Sequence, residues 1–222
     1  MPARRPQQQP HSTRPKYNRM LAQDPTRQIS TQHIGGLSAI LDADVQLVIW
    51  KRRLPAEIQT EMTMLAELGT AASFIALATD PVDRIRHQLG KAKIRSQFLQ
   101  HELSLLVTAF GELTNFARVR VWLGPAGDLI DRDLATNQHR LLCSYSGPGL
   151  LLPASQPRSS VTAAAGQGDP LPQSLRMFSA SSLRTLGAGQ AVLWKQGGSL
   201  SCLVTPLPAV SGSLLLGLDR AG

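Results

Sequence analysis

Arg140–Gly149, RLLCSYSGPG, decides how this chain is read. Six residues of mixed apolar and small polar type run into Gly147-Pro148-Gly149, which is a strand ending in a tight turn. Period-two alternation places Leu141, Cys143 and Tyr145 on one face, together with the preceding His139. The order of elements on either side of this strand then sets the fold class.

Downstream, three more runs have the same character: Gln190–Lys195 (QAVLWK), Ser201–Thr205 (SCLVT) and Ser213–Asp219 (SLLLGLD). Gly197-Gly198 and Pro206–Gly212 supply turns between them. Upstream, Arg118–Leu123 (RVRVWL) alternates polar and apolar until Trp122, and Gly124-Pro125-Ala126-Gly127 follows as a turn. Residues 153–175 are poor in bulky apolar groups and form a long low-complexity loop, a lid or an insertion.

The first half reads differently. Val45–Trp50 (VQLVIW) is a buried strand by its β-branched and aromatic content. Leu54-Pro55 opens a helix whose apolar stripe is Ile58, Met62, Leu65 and Leu68, with Gly69 as its stop. Met62 and Met64 are expected in the core. Ser73–Ala78 fits a strand or a helical turn. Asp80-Pro81 starts a long helix, interrupted at Gly90, that reaches about Leu113, with Ile94, Phe98, His101, Leu105 and the Leu106/Phe110/Leu113 series facing one way and His87 and His101 read as surface or rim histidines. His87 and His101 are fourteen residues apart, about 21 Å along a helix, and cannot share an ion. The expected class is α+β: a helical half over about 34–115 packed on an antiparallel β-sandwich or jelly-roll-like half over about 116–222.

The chain of 222 residues carries net charge +8, but six basic residues against Asp24 alone lie in the first thirty. Residues 1–28, with five prolines, are expected to be a disordered basic tail, and the ordered domain begins near Ile34. Nucleic-acid binding is expected only weakly, through that tail. Lys51-Arg52-Arg53 reads as a solvated strand end. Cys143 and Cys202, in strand-like runs without a CxxC pairing, read as buried apolar residues in a reducing compartment. No apolar run approaches the ~20 residues of a membrane span, and no signal-like segment is visible, so a cytoplasmic protein without membrane contact is expected.

Several of these stretches, taken in order, carry a resemblance. Asp44–Pro55 (DVQLVIWKRRLP), RVRVWL, RLLCSYSGPG, Ala191–Gly198 (AVLWKQGG) and Leu214–Asp219 (LLLGLD) together resemble the bacterial domain-of-unknown-function family eighteen-twenty-six, from about Ile34 onward. That family is similar to the iron and 2-oxoglutarate proteins built on a double-stranded β-helix. The resemblance implies a Phe-His-x-Asp element before the central strand, a later His-Arg-Ser-Pro element, and an arginine opening the last strand. Two histidines and a carboxylate would hold one face of a ferrous ion, and the arginine would fork onto a carboxylate.

This chain departs from the pattern at each point. The histidine position falls on Asp133 and the aspartate position on Ala135. The distal element aligns with Leu203-Val204-Thr205-Pro206, and the last strand opens Gly212-Ser213-Leu214. No histidine follows His139. Phosphate loops, nucleophile elbows and HExxH are absent as well. The expectation is a non-catalytic family member that binds no metal or cofactor and acts as a binding or interaction module, with a protein partner. The alternative is an oxygenase-like enzyme with a rearranged site, for which the candidate pocket residues are Asp133, His139, Arg140, Tyr145 and Lys195.

Overall fold

In the computed structural model of the protein, the described residues are 27–125, 139–147, 150–153, 183–195, 205–206 and 212–221. They form a seven-stranded sheet in the order β1-β2-β8-β5-β10-β4-β3 and a three-stranded sheet in the order β7-β6-β9. In chain order the strands are β1 (Arg27–Thr31), β2 (Val45–Trp50), β3 (Ala72–Leu77), β4 (Arg118–Gly124), β5 (His139–Ser146), β6 (Leu150–Pro153), β7 (Leu183–Thr185), β8 (Ala191–Lys195), β9 (Thr205–Pro206) and β10 (Leu214–Arg220). A 3-10 segment, Ile34–Leu41, and three α-helices complete them: α1 (Ala56–Glu67), α2 (Val82–Lys91) and α3 (Gln97–Thr114).

β5 sits at the middle of the large sheet, between β8 and β10. Seven of its eight residues, Arg140 to Ser146, are buried, because both faces of the sheet are covered. Leu141, Cys143, Tyr145, Leu193, Leu216 and Leu218 face the helices in one apolar cluster. Leu47, Trp122, Leu142, Val192, Trp194 and Leu215 form a second cluster on the opposite face, closed by Leu150 and Leu152 of β6. A strand covered on both sides reads as a continuous apolar run rather than a clean alternation. That is the composition of β5, β8 and β10.

The expected helical N-terminal half is corrected. β1, β2 and β3 all lie in the first half, and all three belong to the large sheet. β1 also starts at Arg27, ahead of the expected onset near Ile34. It pairs with β2 in parallel, while every other pairing among the described residues is antiparallel. The sheet therefore recruits its outer strands from the N-terminal half and its centre from the C-terminal half. Residues 1–26 and most of the 153–175 stretch lie outside the described residues, as does Cys202.

Helix boundaries follow local chemistry. Gly69, at φ +63, takes the left-handed turn that closes α1. Leu68 is exposed, and Met62 and Ala66 carry the buried face instead. Met64, expected in the core, is exposed too, because it lies off that stripe. The single long helix is two: the break falls at residues 92–96 rather than at Gly90, with Lys93 at φ +59 and Ser96 accepting a hydrogen bond from the Leu99 amide at 3.0 Å. The restart shifts the phase, so Leu99, Leu103, Leu106, Val107 and Phe110 face inward. His101 and Leu105 are exposed, and so is His87. A Cβ on Gly111 would stand 2.1 Å from that of Ala78, which is how closely α3 lies on the end of β3.

Candidate functional site

The large sheet carries charge on both faces near its centre. On the helix face, Arg52 folds inward just after β2 instead of standing in solvent, which corrects its reading as a strand-end group. Its Nε donates to the Gly189 carbonyl at 2.6 Å, and its Nη2 donates to Glu102 Oε1 of α3 and to Cys143 Sγ at 3.6 Å. Its guanidinium lies 4.2 Å from the centre of the Trp50 ring. Tyr145 donates to the same Glu102 oxygen at 3.5 Å and meets Phe98 edge-on. Gly189 sits at φ +86, and a Cβ there would come within 2.9 Å of Leu54.

Burial alone would lower the Arg52 pKa, but the hydrogen bond and charge of Glu102 outweigh it and the net shift is upward. The two groups are therefore an ion pair. Burial pushes the Cys143 thiol up to about 11 and the Tyr145 phenol well above its usual value, so both stay neutral. A thiol in that state is a poor nucleophile. This cluster is a bolt between α3, β5 and the turn before β8.

On the opposite face, the pairing register lines up one row across the sheet. Leu47 of β2 opposes Trp194 of β8, Trp194 opposes Arg140 of β5, and Asp219 of β10 opposes Arg120 of β4. Arg140 Nη2 closes the row by donating to Asp219 Oδ2 at 2.7 Å, while Arg120 Nε stands 3.9 Å from Asp219 Oδ1. Arg140 is 3% exposed. Burial draws its guanidinium below the usual range against the attraction of Asp219, and Arg120 adds repulsion. From the small sheet, Arg184 is the register partner of Leu152, so it faces the same layer as that buried leucine. Burial lowers its pKa as well.

Four N–H groups in this layer are buried without a hydrogen-bond partner among the described residues: those at Arg140 Nη1, Trp194 Nε1, Arg184 Nε and Arg184 Nη2. One acceptor, Asp219 Oδ1, is in the same state.

Of the five sequence-predicted pocket residues, the four that are described do not all come together. His139 and Lys195 are cross-strand neighbours at one end of the sheet on the helix face. There His139 meets Phe116 edge-on, and Lys195 Nζ donates to the Asp42 carbonyl at 2.6 Å. Burial, then the charge of Lys195, holds His139 below its ordinary pKa. Tyr145 is six residues along the same face, about 20 Å away at the usual strand rise. Arg140 faces the opposite layer, and Asp133 lies outside the described residues. Only Arg140 belongs to the row described above. Arg120, Asp219, Trp194 and Arg184 were missed, although a lone arginine in RLLCSYS and a lone aspartate in LLLGLD are each visible as polar interruptions of buried strands.

A ferrous site of the kind the resemblance implies does not fit these residues. It needs two imidazoles and a carboxylate converging on one point. His139 projects from the helix face of β5, away from Asp219, and the chain has no later histidine. The unpartnered atoms between the sheets are mainly N–H donors, which repel a cation. Among the described residues, no three of His, Cys, Asp and Glu come together. A groove of about 480 Å³ along α3, lined by Ala78, Thr108, Gly111 and Phe116, contains none of the expected pocket residues. No helix among the described residues is long and apolar enough to cross a membrane.

Comparison with known proteins gives one family. The model for "Protein of unknown function (DUF1826)" matches residues 31–199. No curated protein matches the chain. Among solved structures, it is similar to a crystal structure of an oxidoreductase of the 2OG-Fe(II) oxygenase family from Burkholderia pseudomallei. The identity is 12%, the match covers 89% of this chain and 100% of that one, and the TM-score is 0.35. At that score the two backbones share too little of their path for one to inform the other.

Proposed function

This chain belongs to the DUF1826 family of proteins of unknown function, and we propose that it is a non-catalytic, ligand-binding member of that family, with its site between the two sheets. The observation that carries the reading is the set of buried donors on Arg140, Trp194 and Arg184 that the described protein leaves unpartnered. Natural proteins pair nearly all such groups, because a buried polar atom without a partner costs about 1–3 kcal/mol. A ligand accounts for several of them gathered in one layer better than packing does.

The finer architecture belongs to the same proposal. An antiparallel sheet whose central strands face a smaller antiparallel sheet is jelly-roll-like, and its inter-sheet space is where such a fold admits a small molecule. The chemistry of that space in this chain is recognition. Arg140, Asp219 and Arg120 can orient a bound group, but they supply neither a nucleophile nor a general base with a free proton path. The rearranged-enzyme reading has less support: His139 and Lys195 are neighbours on the helix face, but Tyr145 lies six residues along that face and Arg140 on the opposite one.

The direct test is turnover. Full-length protein is incubated in air with ferrous iron, ascorbate and 2-oxoglutarate, and succinate is measured. The expected rate equals that of a no-protein control. Protein-dependent succinate formation that is lost in His139→Ala would overturn the proposal.

A further inference from the structure

The charge in the inter-sheet layer says what kind of ligand would fill it. Three arginines, Arg140, Arg120 and Arg184, face one carboxylate, Asp219, among the described residues of that layer. Arg120 is at the rim, with its side chain 44% exposed, and water can serve it. Arg140 has no such relief, being buried throughout, and although Arg184 is only half-buried, its Nε and Nη2 are closed to solvent. The walls around them are Leu142, Leu152, Leu215, Trp122 and Trp194. An uncompensated positive charge in such surroundings is expensive, and a water molecule can accept an N–H but cannot offset charge.

We infer that this layer binds one small oxyanion, a carboxylate or a phosphate-type group, through Arg140 Nη1, Trp194 Nε1 and the Nε and Nη2 of Arg184. The inference rests on the ligand-binding reading given above and adds the chemical class. Geometry supports it in three ways. Trp194 and Arg140 are directly opposed across β8 and β5, so the indole N–H and the free guanidinium nitrogen project from adjacent positions. Arg140 is held by Asp219 through its other nitrogen, which fixes the fork without using Nη1. Arg184 comes from the facing sheet and presents Nε and Nη2, the edge of a guanidinium that grips an oxyanion with two parallel bonds. A metal cation would find four donors and one acceptor, the wrong complement. Neutral ligands would leave the charge where it is.

The experiment is a titration of the full chain with sodium phosphate, sodium sulfate and sodium benzoate, each against sodium chloride at matched ionic strength. Binding is read by calorimetry and by the ¹⁵N-resolved resonances of the Trp194 indole and the Arg184 Nε. The expected result is saturable binding of at least one oxyanion with both resonances moving. Benzoate binding without phosphate assigns a carboxylate, and the reverse assigns a phosphate-type group. Arg184→Gln should weaken the binding about ten- to a hundredfold, the worth of a lost charge-assisted pair. It is the decisive variant, since Arg184 has no partner among the described residues whose loss would confuse the result. Arg140→Gln, checked for folding by its amide spectrum, should show a loss of similar size.

Unchanged affinity in both variants would overturn the inference, because the anion would then sit elsewhere. So would the failure of every oxyanion to move either resonance. If the Trp194 indole shifts with neutral compounds from a fragment set but with no oxyanion, the inference falls while the ligand-binding reading stands. If neither class moves it, both fall.

Discussion

Glu102→Ala is expected to cost about 3–5 kcal/mol of unfolding free energy, the usual cost of removing one partner from a buried ion pair. Glu102 is the only carboxylate among the described residues that meets Arg52, and the pair is nearly enclosed, with side chains 15% and 5% exposed. After truncation, Arg52 keeps the Gly189 carbonyl and the Trp50 ring but loses its counter-charge. The Tyr145 hydroxyl loses its acceptor at the same time. Urea unfolding followed by circular dichroism measures the effect. The pairwise origin is checked with Arg52→Met combined with Glu102→Leu, which removes both charges and fills the volume. That double variant should recover most of the loss. A loss below about 1 kcal/mol in Glu102→Ala would mean that α3 is held by its apolar stripe alone.

The second large effect is alkaline. Burial keeps the Cys143 thiol protonated up to about 11, against an ordinary value of 9.0. The folded protein therefore holds this proton more tightly than the unfolded chain does. The stabilisation is fully present below pH 9, declines as the unfolded thiol ionises, and is gone once the pH passes the folded value. Two pH units correspond to about 2–3 kcal/mol. Tyr145, raised by the same burial, adds to the fall in the same direction at higher pH. Denaturant midpoints measured from about pH 8 to about pH 11 should drop, and Cys143→Ala should flatten the early part of the drop. A midpoint unchanged over that range would show that the thiol is not enclosed as described.

How far the sequence carried the fold can be seen strand by strand. β2, β5, β8 and β10 were legible because a strand covered on both faces must be apolar almost throughout, and short β-branched or leucine-rich runs such as VQLVIW and LLLGLD, bounded by turn residues, match that requirement directly. β1, β6 and β7 were not: each is short, and RQIST or LRT has no periodicity to detect; β9 begins at Thr205, the last residue of the expected Ser201–Thr205 strand, whose other residues lie outside the described ones. The existence of β1, β6 and β7 is a tertiary fact, imposed by edges that needed pairing. Assigning the N-terminal half to helices failed for the same reason, since helix signals are local and sheet membership is not.

The charged residues divide along similar lines. Arg52 follows a strand and stands beside two other basic residues, so solvent exposure was the natural reading. Its partner lies fifty residues on in sequence. A signal did exist in α3, where Glu102 occupies the inward stripe with Leu99, Leu103 and Leu106, and an acid at such a position calls for a buried cation. The row of Arg140, Asp219 and Arg120 needs the register of three strands that are far apart in the chain, which no single-sequence pattern contains. That no histidine follows His139, by contrast, is plain from the letters alone, because a missing residue needs no geometry.

Metal binding tests the account at its centre. The purified, tag-free protein is loaded anaerobically with ferrous iron and, separately, with zinc, and the metal content per chain is measured after desalting. A metal-free ligand-binding member of the DUF1826 family retains far less than one equivalent of either. One equivalent per chain, lost in Asp133→Ala or His139→Ala, would contradict the account and place a metal centre where this chain is argued to have none.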